Sequence, residues 1–178
     1  MASTPPRTPR SALHLSATLL TATVALYIAL VAFGNITDFG TNQQFVRHVF
    51  AMDTTFKDDD LMWRAVTSKG LQDTAYVAII VWETLAALVL GYGTWLWVRR
   101  DDAQARRVST YGLLMLMLLF GAGFIAIGGE WFSMWQSDTW NGLDAALRVF
   151  ILSGTVLIVV NLPFREPTAS ASAEPSAH

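Results

Sequence analysis

The sequence predicts an all-α fold: a four-helix transmembrane bundle with a partly helical extracytoplasmic loop cap. Of its 178 residues, 53% are apolar and only 15% are charged, and the mean hydropathy is positive at +0.39. The apolar residues are gathered into four runs of about 20, the length of helix that crosses a bilayer. A soluble domain would instead spread them as amphipathic stripes.

The four predicted helices cover about 13–35, 74–98, 108–130 and 143–164. The second run is broken by Glu83, and the fourth carries Asp144 and Arg148. The first run follows two arginines, as a signal peptide would, but its apolar core exceeds the usual length of about 7 to 15 residues. We therefore expect a retained anchor.

Arginines near the ends of the spans predict the orientation of the protein. They lie before the first span, between the second and third, and after the fourth: Arg7, Arg10, Arg99, Arg100, Arg106, Arg107 and Arg165. We therefore expect both termini to lie in the cytoplasm. The tails at 1–12 and 165–178 are rich in Pro, Ser and Ala, and we expect them to be disordered.

The loop at 36–73 faces outside in this topology and predicts two short helices. Apolar residues from Phe45 to Met52 have near-helical spacing, and Leu61 to Val66 follow the acidic run Asp58–Asp60. Polar and aromatic side chains also gather at this end of the bundle. The expected contacts of an outer cap are Asp38, His48, Trp131, Trp135 and Trp140.

Three ionisable residues within or at the ends of the spans form the candidate binding cluster: Glu83, Glu130 and Arg148. Charged side chains in a bilayer usually face the bundle interior or water and have a partner. Small residues at helical spacing from both glutamates place the two acids on helix-packing faces.

Three interpretations of this cluster remain open. In the first, Arg148 pairs with Asp144 one turn earlier, the glutamates bond to backbone or hydroxyl groups, and the role of the cluster is purely structural. In the second, Arg148 neutralises one glutamate, and the other glutamate serves a proton relay, a cation site or a polar ligand headgroup. In the third, the groups never meet.

Several classes of site are excluded or disfavoured. The absence of cysteine excludes disulfides, thiolate nucleophiles, iron–sulfur clusters and Cys-based zinc sites. The three histidines, His14, His48 and His178, provide no pair at matching depth for a haem. The sequence also lacks a phosphate-binding loop, a metalloprotease motif and a calcium loop. We therefore expect no metal, no cofactor and no nucleic-acid partner, and an enzyme is disfavoured.

Two segments carry a family resemblance: VAFGNITDFGTNQQFVRHVFAMDTTF, from Val31 to Phe56, and GGEWFSMWQSDTWNG, from Gly128 to Gly142. They resemble the bacterial family of predicted small integral membrane proteins known as domain of unknown function 2165, over roughly Leu15 to Pro163. The resemblance implies a small multi-pass inner-membrane protein and supplies no catalytic residue.

Two functions are therefore expected as alternatives. The first is a non-catalytic accessory or structural subunit of a membrane complex. The second is binding or transport of a lipid, quinone, small molecule or ion through the Glu/Arg cluster in the outer leaflet. The expected partners are the lipid bilayer and either another membrane protein or further copies of this chain.

Overall fold

A computed structural model describes residues 12–163. Within this range the helices are α1 (Ala12–Thr37), α2 (Phe39–Ala51), α3 (Lys69–Arg99), α4 (Asp102–Met117) and α5 (Leu143–Asn161). The chain continues from α4 without a break into a wider π-helix, Leu118–Trp131. The predicted tails lie outside the described residues, apart from residue 12, as does the end of the fourth predicted helix.

Four of these helical segments are long and apolar enough to cross a membrane: α1, α3, α4 with its π-helical continuation, and α5. The prediction of an all-α fold with four apolar spans is thus confirmed. The third span begins at Asp102, several residues before the apolar run, because the side chain of Asp101 accepts a hydrogen bond from the Gln104 backbone N–H. Helix capping, rather than hydropathy, fixes where the helix starts.

The spans pack as a closed ring in which α1 contacts α3, α3 contacts α4, α4 contacts α5, and α5 returns to α1. Large apolar side chains such as Leu30, Leu88 and Ile158 are exposed on the outside of this ring. In water they would form an unusually apolar surface. Against lipid, these side chains need no further burial.

The two loops at one end of the bundle, residues 38–68 and 132–142, contact each other and form a cap. The Thr54 and Ser137 hydroxyls are 2.8 Å apart, and the Phe56 backbone N–H donates to the Gln136 side chain at 3.0 Å. The rings of Phe50 and Phe132 are stacked 4.7 Å apart. The expected partly helical cap is confirmed.

Only the first of the two helices expected in the longer loop is a full helix, α2. The second is a single 3₁₀ turn, Met62–Arg64, which follows a turn in which the Asp58 carboxylate accepts from the Asp60 backbone N–H at 2.9 Å. The chain then leaves helical geometry because the Val66 backbone N–H donates to Phe50 O in α2. A tertiary hydrogen bond thus replaces the expected helix.

Helix α2 is tied to α3 by an ion pair. Arg47 Nε and Nη2 donate to the two carboxylate oxygens of Asp73 at 2.9 and 2.8 Å, and Gln43 donates to Asp73 Oδ1 at 3.0 Å. The hydrogen bond to Asp73 raises the pKa of Arg47 above its ordinary value. This bidentate contact fixes the cap over the end of the bundle.

Candidate functional site beneath the cap

Glu83 is the buried acid of the bundle interior, with 2% of its surface exposed. It lies ten residues along α3 from Asp73, which places it about 15 Å below the ion pair to the cap at 1.5 Å per residue. Asn35, near the end of α1, donates from Nδ2 to Glu83 Oε2 at 2.7 Å. Among residues 12–163, this is the one hydrogen bond that reaches the carboxylate.

A chain of hydrogen bonds links Glu83 to the cap. The Asn35 side-chain oxygen accepts from Asn42 Nδ2 in α2 at 2.7 Å, and the Tyr76 hydroxyl donates to the Asn35 backbone carbonyl at 3.2 Å. Because the Asn35 oxygen is already occupied by Asn42, its amide nitrogen is directed towards Glu83. The network therefore joins α1, α2 and α3 at one point.

A cavity of about 270 Å³ lies next to this network. Its polar wall consists of Asn35, Asn42 and Glu83, together with the phenol groups of Tyr27 and Tyr76. The remaining walls are apolar and come from α1, α2, α3, α5 and the π-helix: Val31, Phe45, Val46, Ile79, Phe120, Phe124, Gly142, Ala145, Ala146 and Val149. No lysine, arginine or histidine is among these described lining residues.

A second cavity, of about 280 Å³, adjoins the first on the side of α3 and the π-helix. The two share the walls formed by Phe45, Val46, Ile79 and Phe124. The second is lined by apolar residues throughout, so the polar groups of this region are confined to the Glu83 side.

The other two members of the expected cluster lie elsewhere. Glu130 and Arg148 are both exposed, and neither lines the cavity of Glu83. No ion pair within residues 12–163 joins Arg148 to Glu83, Glu130 or Asp144. The structure thus brings Glu83 together with asparagines, not with the arginine. Glu130 instead shares a surface groove with Arg64.

The five residues expected in the cap all take part in contacts there, but none lines the Glu83 cavity. Asp38 accepts from the Thr41 hydroxyl at the start of α2. His48 lies 2.8 Å from Asp53 and stacks on Trp140 at 4.7 Å. The remaining two tryptophans make edge-to-face contacts in pairs, Trp131 with Trp63 and Trp135 with Phe56. The contacts of His48 with Trp140 and of Trp135 with Phe56 join the two loops of the cap, and Trp131 joins the longer loop to the π-helix, whereas the bond of Asp38 is local to α2.

A family model for predicted small integral membrane proteins, designated DUF2165, matches residues 13–163. The chain belongs to this family. The resemblance carried by the two sequence segments is therefore confirmed. Searches of curated proteins and of solved structures each found no match. The family description and the four apolar helices together establish a small integral membrane protein.

Sequence reasoning missed two features of the site in this DUF2165 member. Asn35 and Asn42 carry no charge that would mark them in the sequence, although their spacing of seven residues across a helix break brings them within hydrogen-bond distance. The sequence predicts one ordinary helix over about 108–130, whereas the structure has a π-helix from Leu118 onwards. Its four glycines, Gly121, Gly123, Gly128 and Gly129, were the available signal, because glycine is a poor α-helix former. This segment supplies Phe120 and Phe124 to the cavity.

Proposed function

We propose that this protein binds a small organic cation with an ammonium group in the cavity beneath the cap, with Glu83 as the counter-charge. One observation carries the proposal. A buried carboxylate lines a cavity that has room for a ligand, and no basic side chain lines that cavity. A buried charge in a membrane bundle needs a partner, and Asn35 supplies a hydrogen bond but no charge.

The walls of the cavity favour an ammonium ion over an inorganic cation. Aromatic rings line it on several sides, from Tyr27, Phe45, Tyr76, Phe120 and Phe124. The face of an aromatic ring attracts a cation, and such rings surround quaternary ammonium groups in many binding sites. An inorganic ion would need several free oxygen ligands, whereas the Asn35 side-chain oxygen here already accepts from Asn42 and the Tyr76 hydroxyl is bonded to the Asn35 carbonyl. Glu83 is the one carboxylate among the described residues that line the cavity.

The volume of the cavity limits the size of the ligand. Drug-sized ligands occupy sites of about 300 to 1,000 Å³, so 270 Å³ suits a smaller molecule. The neighbouring apolar cavity offers space for a short hydrocarbon substituent. Choline, tetramethylammonium and short alkylamines have the required chemistry.

Thermal unfolding in mild detergent tests this proposal with choline, tetramethylammonium and butylamine as probes. A ligand that binds the folded state stabilises it by about 2.7 kcal/mol at 100 times its Kd. We expect a concentration-dependent rise in Tm with these cations. The neutral isostere of choline, 3,3-dimethylbutan-1-ol, should give no rise, because it lacks the charge.

Glu83→Gln is the decisive variant because the glutamine oxygen can still accept from Asn35 while the charge is removed. It should fold and lose the response to the cations. Asp144→Asn, which alters an exposed carboxylate outside the cavity, should keep the response. An unaltered response in Glu83→Gln, or no response of the unaltered protein to any of the three cations, would contradict the proposal.

A second candidate function is that of a non-catalytic subunit of a membrane complex. The favouring observation is the pair Phe56 and Trp135, which are 72% and 51% exposed at the surface of the cap. Exposed aromatic residues are enriched at protein interfaces. Native mass spectrometry after mild extraction should then show a second polypeptide at fixed stoichiometry, which a Phe56→Ser substitution removes. A single chain without bound protein would contradict this role.

We also infer that the cap lies on the extracytoplasmic side of a bacterial inner membrane. The end of the bundle opposite the cap carries the arginines at 99, 100, 106 and 107, as the positive-inside rule requires for a cytoplasmic loop. A ligand would then reach Glu83 from the extracytoplasmic side.

A further inference from the structure

A groove of about 620 Å³ lies on the surface of the bundle where the cap meets the third span. It is lined by Arg64 from the cap and by Ala126, Ile127, Glu130, Trp131 and Phe132. The groove therefore holds one positive and one negative side chain. It is separate from the Glu83 cavity and shares no lining residue with it.

Arg64 is held in a defined place. Its guanidinium carbon lies 5.1 Å from the ring centre of Trp131 and 5.7 Å from that of Trp63, and the two indoles meet edge to face at 5.5 Å. Its Nε atom is buried and has no hydrogen-bond partner among the described residues. That atom is enclosed by protein, so a ligand would meet the rest of the guanidinium group, which has no ion pair among the described residues and belongs to a side chain that lines the groove. A guanidinium group matches the geometry of phosphate and carboxylate oxygens.

Glu130 provides the opposite charge at the same level. It is exposed in the groove one residue before Trp131, and no ion pair within residues 12–163 joins it to Arg64. The two side chains are therefore both available to a ligand that carries a phosphate and an ammonium group. A ligand with a phosphate alone would satisfy Arg64 but would meet the Glu130 carboxylate as a like charge.

The apolar part of the groove would contact the apolar part of a ligand. Ala126 and Ile127 lie about one turn below Glu130 on the apolar third span, and both are exposed. Trp131 lines the groove beside Glu130, and Trp63, which is 70% exposed, contacts Trp131 edge to face. Tryptophan at the end of a span marks the level of lipid headgroups. Charged groups at headgroup level above apolar residues match a phospholipid and not a soluble anion.

We propose that this groove binds a zwitterionic phospholipid. Arg64 binds the phosphate, Glu130 binds the ammonium group with Trp131 beside it, and an acyl chain lies along Ala126 and Ile127. A phospholipid at this place would fix the longer loop of the cap to the third span.

Native mass spectrometry of the full chain in mild detergent tests the proposal. The probes are dioleoyl phosphatidylethanolamine, which has both groups, and dioleoyl phosphatidylglycerol, which has the phosphate without the ammonium. We expect phosphatidylethanolamine to bind about fivefold more tightly, the factor expected for one charged contact near a membrane surface. Equal retention of the two lipids by the unaltered protein would overturn the proposal.

Two variants separate the two contacts. Glu130→Gln, a conservative change on an exposed side chain, should abolish the preference and leave the two lipids equally bound. Arg64→Gln should weaken the binding of both lipids about fivefold. Arg64→Lys keeps the positive charge and should recover part of this loss, which separates lipid binding from a loss of cap structure. The matched controls are Asp144→Asn and Arg148→Gln, which change exposed charges outside the groove and should leave the preference intact. A preference that survives in Glu130→Gln would overturn the assignment.

Discussion

Replacing Asn35 and Glu83 singly and together by alanine measures the hydrogen bond on which the buried network depends. The donor and acceptor are 2.7 Å apart and buried. Hydrogen bonds between membrane helices contribute about 0.6 kcal/mol on average and about 1.7 kcal/mol at most. At 2.7 Å this bond lies at the short end of N–H to oxygen distances, so it belongs in the upper part of that range. We therefore expect a coupling free energy of about 1 to 1.5 kcal/mol.

The assay is equilibrium unfolding with SDS, followed by the helical signal in circular dichroism. Mutations without a shared contact add within about 0.3 to 0.5 kcal/mol. A control cycle pairs Asn35→Ala with Thr84→Ala, because Thr84 bonds to its own helix at Ile80 O and should not couple. A coupling between Asn35 and Glu83 no larger than the control would refute the proposed network and the orientation of Glu83 that follows from it.

Two further predictions concern helix packing and topology. Gly93→Ala should destabilise the protein by about 1 to 3 kcal/mol, because a Cβ atom there would lie 2.7 Å from the Ser109 hydroxyl and 3.3 Å from its backbone nitrogen. Gly91→Ala, where nothing lies within 4 Å, should cause no loss of stability in the same SDS titration, and equal losses would contradict this account of close packing.

Because the chain has no cysteine, single introduced cysteines report orientation without background labelling. A membrane-impermeant maleimide should label Lys57→Cys in intact cells but Gln104→Cys only after permeabilisation, and the reverse pattern would contradict the proposed topology.

The spans of this fold could be predicted from the sequence because crossing a bilayer determines both the length and the apolar composition of a helix. A helix that crosses a bilayer satisfies its backbone internally and needs about 20 apolar residues. The exact ends could not be predicted in the same way. Helix α3 begins at Lys69, before the apolar run, because its first turns carry polar residues such as Gln72 and Asp73 that bond to the cap.

The site was predictable only in part. The burial of Glu83 follows from its isolation in an apolar run, since a charge there must face inwards. Its partner does not follow. Arg148 was expected by charge, but an arginine near the end of a span can extend to the interface, and here it is exposed. An asparagine carries no such signal, and the pairing of Asn35 with Glu83 depends on how α1 rotates against α3.

The presence of a carboxylate at position 83 is itself an argument for a ligand. A charged side chain at the centre of a membrane helix costs about 2.5 to 3.5 kcal/mol on insertion scales, whereas the strongest measured hydrogen bonds between such helices return about 1.7 kcal/mol. The bond to Asn35 therefore does not offset the charge, and glutamine could accept the same bond without it. If Glu83 served only to join α1 to α3, the Glu83→Gln variant would be at least as stable as the unaltered protein and would show no change in cation binding. The cation that we propose in the cavity would supply the opposite charge that Asn35 lacks. Binding and stability measured on the same Glu83→Gln variant therefore distinguish a packing role from a binding role.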